Sequence, residues 1–472
     1  MLTRRRFLAS LGIVALAVPL LEACGASGAA ATAASQAAAV QASVAAATTA
    51  PAASSAVSTA SAAPAPAVGN APAAAKTPLS ITVWTIPGRT WQDIYAKKYQ
   101  QANPDVALTI DTVVYADMPR KQLAEAASNT LQDVVYSGIN WLQISAYKGA
   151  FRALDDLVRQ QDPNIADYFS DAVAGGTVSG KLFGLPFQLN PGNTNVVMYN
   201  LDLLNKQGMT PPTDTWTLDQ FAQMAQKLTD AGARVFGTDL FYGNYYDFAT
   251  LTRSMGGDII SADGKQFTLT TDAKTLQAAQ WMADLRAKYK AAPSRAESQG
   301  LAFPAGQIAL HCDGIQDVIP VSVSVGSKFP WGVVLGPTGP GGLRGRDGFV
   351  TTWNMAVQSK NPEAAYTLMR FMSSADTLQW ALVNQGGPSP RPSNWQSAEV
   401  GKMNPIFPRA GAWMTDKKDL GPFPMPYNLR FSELQDKYAN VSPATWYGEV
   451  AFQEGANAIQ SACQQIVSEA RP

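Results

Sequence analysis

Few residues of this chain combine the type and spacing that covalent chemistry needs. Asp155-Asp156 sets two carboxylates side by side in sequence. That suits a solvated helix start better than an acid and a base placed across a scissile bond. Ser145-Ala146-Tyr147-Lys148 has a Ser-x-x-Lys spacing but no Lys-Thr-Gly or Ser-Asp-Asn companion, so it reads as a chance match. His311 is the one imidazole and stands beside Cys312 on the apolar run Ile308-Ala309-Leu310, where a buried structural pair is expected rather than a catalytic dyad. Gly336 to Gly348 is rich in Gly and Pro but holds no Gly-Lys-Ser/Thr phosphate loop. What remains suits recognition. Eleven Trp are present, and Phe241-Tyr242-Gly243-Asn244-Tyr245-Tyr246-Asp247 interleaves aromatics with Gly, Asn and Asp, a mixture that core segments avoid.

Composition narrows the classes further. The 472 residues carry 36 Lys+Arg against 36 Asp+Glu. That balance argues against a nucleic-acid partner, which calls for clustered cations. One His and three Cys leave no material for a zinc site, and no metal or cofactor is expected. Charged residues make up only 15% of the chain, where about 25% is usual. Part of the dilution is N-terminal. Thr3-Arg4-Arg5-Arg6-Phe7-Leu8 is a basic segment with a twin-arginine look, and Ala9 to Leu21 is an apolar stretch too short to span a bilayer. Leu21-Glu22-Ala23-Cys24-Gly25 then resembles a lipoprotein signal in which Cys24 is lipidated, although Glu22 departs from that pattern. Gly25 to Pro78 holds 26 Ala among 54 residues, broken by Ser, Thr and Pro. It buries too little to offset its ordering entropy and reads as a disordered tether.

The elements that must position the recognition residues begin at Leu79. Leu79 to Trp84 alternates like a strand, and Trp91, Ile94, Tyr95 and Tyr99 share a helical face that stops before Pro104. Val106 to Val114, Met118 to Asn129 and Asp133 to Tyr136 continue as strand, helix and buried strand. This alternation predicts parallel βαβ units, with ligands settling at the carboxyl ends of the strands. Thr217-Leu218-Asp219-Gln220 is a capping box preceded by Trp216, which is placed to staple onto Phe221. Asn361-Pro362 starts another helix, and Asp263-Gly264 turns a hairpin.

From Leu79 onward the chain resembles the extracellular solute-binding lipoproteins of ABC importers, the family that includes maltose-binding protein. The resemblance rests on ordered stretches: Ile81-Thr82-Val83-Trp84, Tyr99 to Val106, Asp133-Val134-Val135 and Ala150 to Leu157. Gly180 to Pro186, Met198 to Leu204, Pro211-Pro212-Thr213 through Thr217, Phe303 to Ala309 and Ser359 to Tyr366 follow in order. It implies an α/β, two-lobe periplasmic-binding-protein-like fold (type II), with a hinge crossed more than once and a ligand cleft between the lobes. Residues 1–24 are then the signal and 25–78 the linker. Residues 79–189 with 347–390 form lobe 1, and 190–346 with 391–472 form lobe 2.

Such a protein is not an enzyme. It captures a solute by hinge closure and passes it to permease subunits, as a monomer tethered outside the membrane through its lipid. The expected solute is a sugar or oligosaccharide, whose C–H faces and hydroxyls suit aromatic rings with amide and carboxylate partners. The alternatives are a polyol or a glycerophosphodiester and, more distantly, the substrate of a secreted hydrolase. Because the ligand must touch both lobes to favour closure, candidates come from both. They are Trp84, Asn140, Trp141 and Gln188, then Tyr242, Asn244, Tyr245, Tyr246, Asp313 and Gln316, and finally Trp353, Asn354 and Arg391. Trp353→Ala and Tyr245→Ala are expected to weaken binding without unfolding the chain. Cys312 and Cys463 are left open as a disulfide or two thiols.

Overall fold

A computed structural model describes residues 75–86, 89–192, 195–239, 244–416 and 428–469. Tyr242, Cys24, the leader and nearly all of the tether lie outside those residues. Among the described residues nine strands build the two main sheets, and Thr177–Val178 with Lys181–Leu182 make a separate two-stranded ribbon. β1 (Thr77–Trp84), β2 (Val106–Val113), β3 (Val134–Gly138) and β4 (Gly184–Asn190) belong to the first. β5 (Val196–Asn200), β6 (Phe236–Thr238), β7 (Ile308–Asp313) and β8 (Trp331–Leu335) form the second, and β9 (Phe349–Met355) returns to the first. The strand orders are β2-β1-β3-β9-β4 and β8-β5-β7-β6. β1 pairs parallel with β2 and β3, whereas β9 runs antiparallel to β3 and β4. The fold is thus α/β with two sheets in two lobes.

The βαβ alternation read from the sequence is present. Helices at Trp91–Ala102 and Met118–Ser128 separate the first three strands, and their apolar faces bury Tyr95, Tyr99 and Met118 against Ile81, Val83 and Val134. Thr217 forms the capping box with Gln220, and Trp216 packs on Phe221 with ring centroids 5.5 Å apart. The hairpin turn holds too: Ile260 bridges Phe267, with Gly264 at φ 72°. Asn361 differs. Its side chain donates to the Pro78 carbonyl at 2.9 Å and does not cap the helix Pro362–Met372.

Each lobe has its own core. One gathers Trp91, Tyr136, Phe187 and Trp353, the other Phe221, Phe248, Phe267 and Trp446. A third cluster joins Leu189 and Val350 of the first sheet to Val196, Met198 and Leu335 of the second. The chain passes from the first sheet to the second between Asn190 and Val196 and returns between Leu335 and Phe349. Those two passages and the shared cluster seat the carboxyl ends of β1, β3, β6 and β7 across one gap.

Candidate functional site

Arg89, in the loop after β1, crosses the gap. One guanidinium nitrogen donates to the Gln316 carbonyl at 3.0 Å and pairs with the Asp317 carboxylate. Asn140, in the first turn of the helix Ile139–Tyr147, donates its amide to Gln435 Oε1 at 3.1 Å and accepts from Ser432 at its carbonyl, 3.0 Å away. Tyr246 meets Phe349 edge-on, centroids 5.3 Å apart. Gly138 is what lets Asn140 and Phe349 approach so closely. A Cβ there would lie 2.6 Å from Asn140 Oδ1 and 2.8 Å from Phe349 Cζ.

The second lobe lines the gap with a chain of charges. His311 Nδ1 lies 2.5 Å from Asp239 Oδ2, and its Nε2 lies 3.3 Å from Asp313 Oδ2. Burial opposes the imidazolium, but the two carboxylates override it and hold the His311 pKa well above its ordinary value. Burial pushes Asp317 up to about 7, with Arg89 acting the other way. Asp247 is pushed well up by burial and by the facing carboxylates of Asp313, Asp347 and Asp239. Opposite stands an aromatic wall, with Trp84 edge-on to Tyr115 at 5.1 Å and to Tyr136 at 6.1 Å. Burial raises the phenols of Tyr115, Tyr136 and Tyr246, so all three stay neutral.

Several buried polar atoms here lack a hydrogen-bond partner, and buried polar groups are normally paired. The first lobe contributes Trp84 Nε1, Arg89 Nε and Asn140 Oδ1, and the second Asp239 Oδ1, Tyr246 OH and Gln316 Oε1. Donors, acceptors and rings on both walls fit a neutral or cationic polyfunctional solute. Among the described residues no group of three or more His, Cys, Asp or Glu could hold a metal ion.

Of the residues expected from sequence, Trp84, Asn140, Tyr246, Asp313 and Gln316 lie around this gap. Asn244 stands at its edge, exposed, capping the helix Tyr245–Ser254 through the Tyr246 amide at 2.9 Å. Gln188 is half-buried within β4, in register with Thr351. The others are corrected by their burial. Trp353 is 0% exposed and stacks on Phe187 at 4.5 Å. Trp141 is enclosed and donates to Gln122 at 2.8 Å. Asn354 ties Thr352 to the Phe183 carbonyl. Arg391 is buried against Tyr168 and spends its donors on the Pro163, Asn164 and Ser373 carbonyls. Tyr245 packs among Phe431 and Tyr438. Each fills a core or fixes a loop.

Arg89, Tyr115, Asp239 and Gln435 are not singled out by the sequence, and Asp247 only as part of the Phe241–Asp247 stretch. His311 and Cys312 form no catalytic dyad, as expected, but they have different surroundings; His311 also stacks on Phe303, centroids 5.4 Å apart. Successive strand residues face opposite ways. His311 faces Asp239 and Asp313, whereas Cys312 lines a partly open cavity with Phe221, Thr250 and Trp281. Cys312 and Cys463 are both free thiols. Asp155 and Asp156 do open a helix, with Asp156 paired to Arg152 at 2.7 Å.

The profile of bacterial extracellular solute-binding proteins matches residues 95–409. The chain belongs to that family: it is a substrate-binding protein of the ABC-transporter kind, not an enzyme. A Deinococcus radiodurans protein named "Probable ABC transporter-binding protein" is 25% identical over 338 residues, covering 67% of this chain and 75% of that one. Among solved structures, an ABC substrate-binding protein of Listeria monocytogenes in complex with cycloalternan superposes with TM-score 0.71 at 20% identity, covering 83% of this chain and 98% of that one. The GacH receptor of Streptomyces glaucescens gives TM-score 0.70 at 20% identity, covering 84% and 100%.

Proposed function

We propose that this protein captures a sugar or oligosaccharide outside the membrane and hands it to the permease of an ABC importer. The observation that carries this reading is the set of unpartnered polar atoms on facing walls, set beside the rings of Trp84, Tyr115 and Tyr246. A saccharide offers hydroxyls to the first and C–H faces to the second. By touching Arg89 and Asn140 on one side and Asp239 and Gln316 on the other, it gains affinity only when the lobes meet, which is what drives closure. Structural relatives support the choice: one is held with cycloalternan, and GacH was solved with acarbose and an acarbose homolog.

The same reading assigns Cys24 to a lipid anchor, 25–78 to a tether and the leader to export. The chain then works as an extracytoplasmic, membrane-anchored monomer. It takes 79–189 with 347–390 as one lobe and 190–346 with 391–472 as the other.

A melting panel of mono-, di- and oligosaccharides, polyols and glycerophosphodiesters tests it. A solute bound only by the folded state adds about 2.7 kcal/mol at a hundred times its dissociation constant. A shift with a saccharide is the expected result. A shift confined to a polyol or phosphodiester overturns the sugar assignment, and turnover of any member overturns the receptor.

A further inference from the structure

The wall of the second lobe is one-sided in charge. Asp239, His311, Asp313, Asp317 and Gln316 lie along one wall: His311 bridges Asp239 and Asp313, Asp317 follows four residues on, and the Gln316 amide donates to Asp317 at 2.9 Å. Asp247 lies behind it, facing Asp239, Asp313 and Asp347. Three carboxylates of this row, Asp239, Asp313 and Asp317, are engaged by His311 and Arg89. Arg89 neutralises Asp317, and His311 is shared by Asp239 and Asp313, so the row keeps an excess of negative charge.

Two further features point to a ligand at this place. Gln316 is only 7% exposed and its Oε1 has no donor. A Cβ on Gly314 would strike this amide at 2.1–2.4 Å, so Gln316 lies folded over the turn that joins Asp313 to Asp317. Across the gap, Trp84 is 6% exposed and offers an indole N–H without an acceptor, beside the ring faces of Tyr115 and Tyr136. On the second lobe the unmatched atoms Asp239 Oδ1 and Gln316 Oε1 are acceptors, the Tyr246 hydroxyl beside them can donate or accept, and Asn140 Oδ1 opposite is a third acceptor. A solute that fills this site must supply donors and positive charge to one wall, and an acceptor and an apolar face to the other.

We propose that the physiological solute is an amine-bearing saccharide whose ammonium group lodges between Asp239, Asp313 and Gln316 while its ring lies toward Trp84 and Tyr115. The inference deepens the saccharide reading and rests on it. An ammonium brings three donors and no acceptor, which is what the second lobe lacks. In an enclosed site its attraction to carboxylates is far stronger than in water. Asp247 supports the same conclusion: burial, and after it the facing carboxylates of Asp313, Asp347 and Asp239, raise its pKa, and an entering cation offsets that repulsion. The titratable groups facing Asp247 are Asp239, Asp313 and Asp347, with Cys312 and Tyr438 also within its field.

Matched pairs that exchange one hydroxyl for one ammonium test the proposal: glucose with glucosamine, galactose with galactosamine, and cellobiose with the fully deacetylated chitobiose dimer. Calorimetric titration should show an amine binding about tenfold or more tighter than its neutral partner, with the preference shrinking in high salt. Asp239→Asn, which keeps a hydrogen bond to His311 but loses the charge, should bring the pair to near parity. Asp313→Asn should do the same, and melting without ligand identifies either variant that fails to fold. A neutral partner that binds as tightly overturns the charge inference and leaves the saccharide reading standing. Binding of spermidine with no saccharide of either kind overturns the saccharide reading and sustains the charge inference. Failure of every amine to bind overturns the proposal.

Discussion

Arg89 and Asp317 form an ion pair that links the two lobes across the gap, the arginine side chain 13% exposed and the aspartate 26%. The arginine follows the first strand of one sheet, and the aspartate lies four residues beyond β7 of the other. Lobes that meet through a charge pair are held without solute, and the strength of that hold sets how much closure a ligand must still supply.

Arg89→Ala should therefore loosen the unliganded protein. Losing hydrogen bonds to a charged group costs about 1.5–3 kcal/mol when the partner stays enclosed. Small-angle scattering should show a larger radius of gyration without ligand, with a smaller change for the liganded form. An unchanged radius would mean that the pair does not hold the lobes together.

The pH dependence follows from the same row of groups. Asp317 sits at about 7 when folded, against about 3.9 unfolded, so between these values the folded state binds the extra proton. Stability is then lost as pH rises through that window. His311, held well above its ordinary value, contributes stability that is full below about 6.5 and is lost as pH rises through its folded value. Asp313 is depressed and acts the other way, its contribution being lost only as pH falls through its low folded value. The melting temperature should decline from pH 5 to pH 8, at up to about 1.4 kcal/mol per pH unit for each proton released. Asp317→Asn should flatten the slope below pH 7. A rise over that range in the wild type would contradict the assignment.

Trp353 and Tyr246 separate packing from binding. Trp353→Ala removes a fully enclosed indole stacked on Phe187 and should cost about 3–5 kcal/mol of stability, readable by denaturant titration. Tyr245→Ala empties a core site as well, so neither variant reports on the cleft as the sequence suggested. Tyr246→Phe deletes a buried hydroxyl beside the Gln435 side chain; stability should change little, while solute binding weakens several-fold. Equal losses in both variants would remove Tyr246 from the site.

Thr217→Ala breaks a capping box in which Thr217 accepts from the Gln220 amide at 3.3 Å and the Gln220 side chain accepts from the Thr217 amide at 2.9 Å. It should cost about 1 kcal/mol and leave solute affinity unchanged. A change in affinity would show that this helix takes part in the site.

The strands of the first sheet and the capped helix were legible because local periodicity, caps and turns dictate them. The site was only partly so. A Trp at a strand end reads the same whether it faces a core or a ligand, and only the packing of Phe187 on Trp353 decides which. Arg391 had the chemistry of a binding residue, but the carbonyls of Pro163, Asn164 and Ser373 that claim it come from distant parts of the chain. Arg89 lies in a short loop with no motif, and its role exists only because a hinge brings Asp317 opposite. Asp239 was within reach of sequence reasoning: it directly follows the short strand Phe236–Thr238, whose alternation is too brief to read.

The position of a saccharide in a crystal of the complex tests the central claim most directly. The expected result is a ring held between the lobes, within hydrogen-bonding distance of Asn140 or Trp84 on one wall and of Asp239 or Gln316 on the other. A saccharide seated on one lobe alone, or in the cavity beside Cys312, would contradict it.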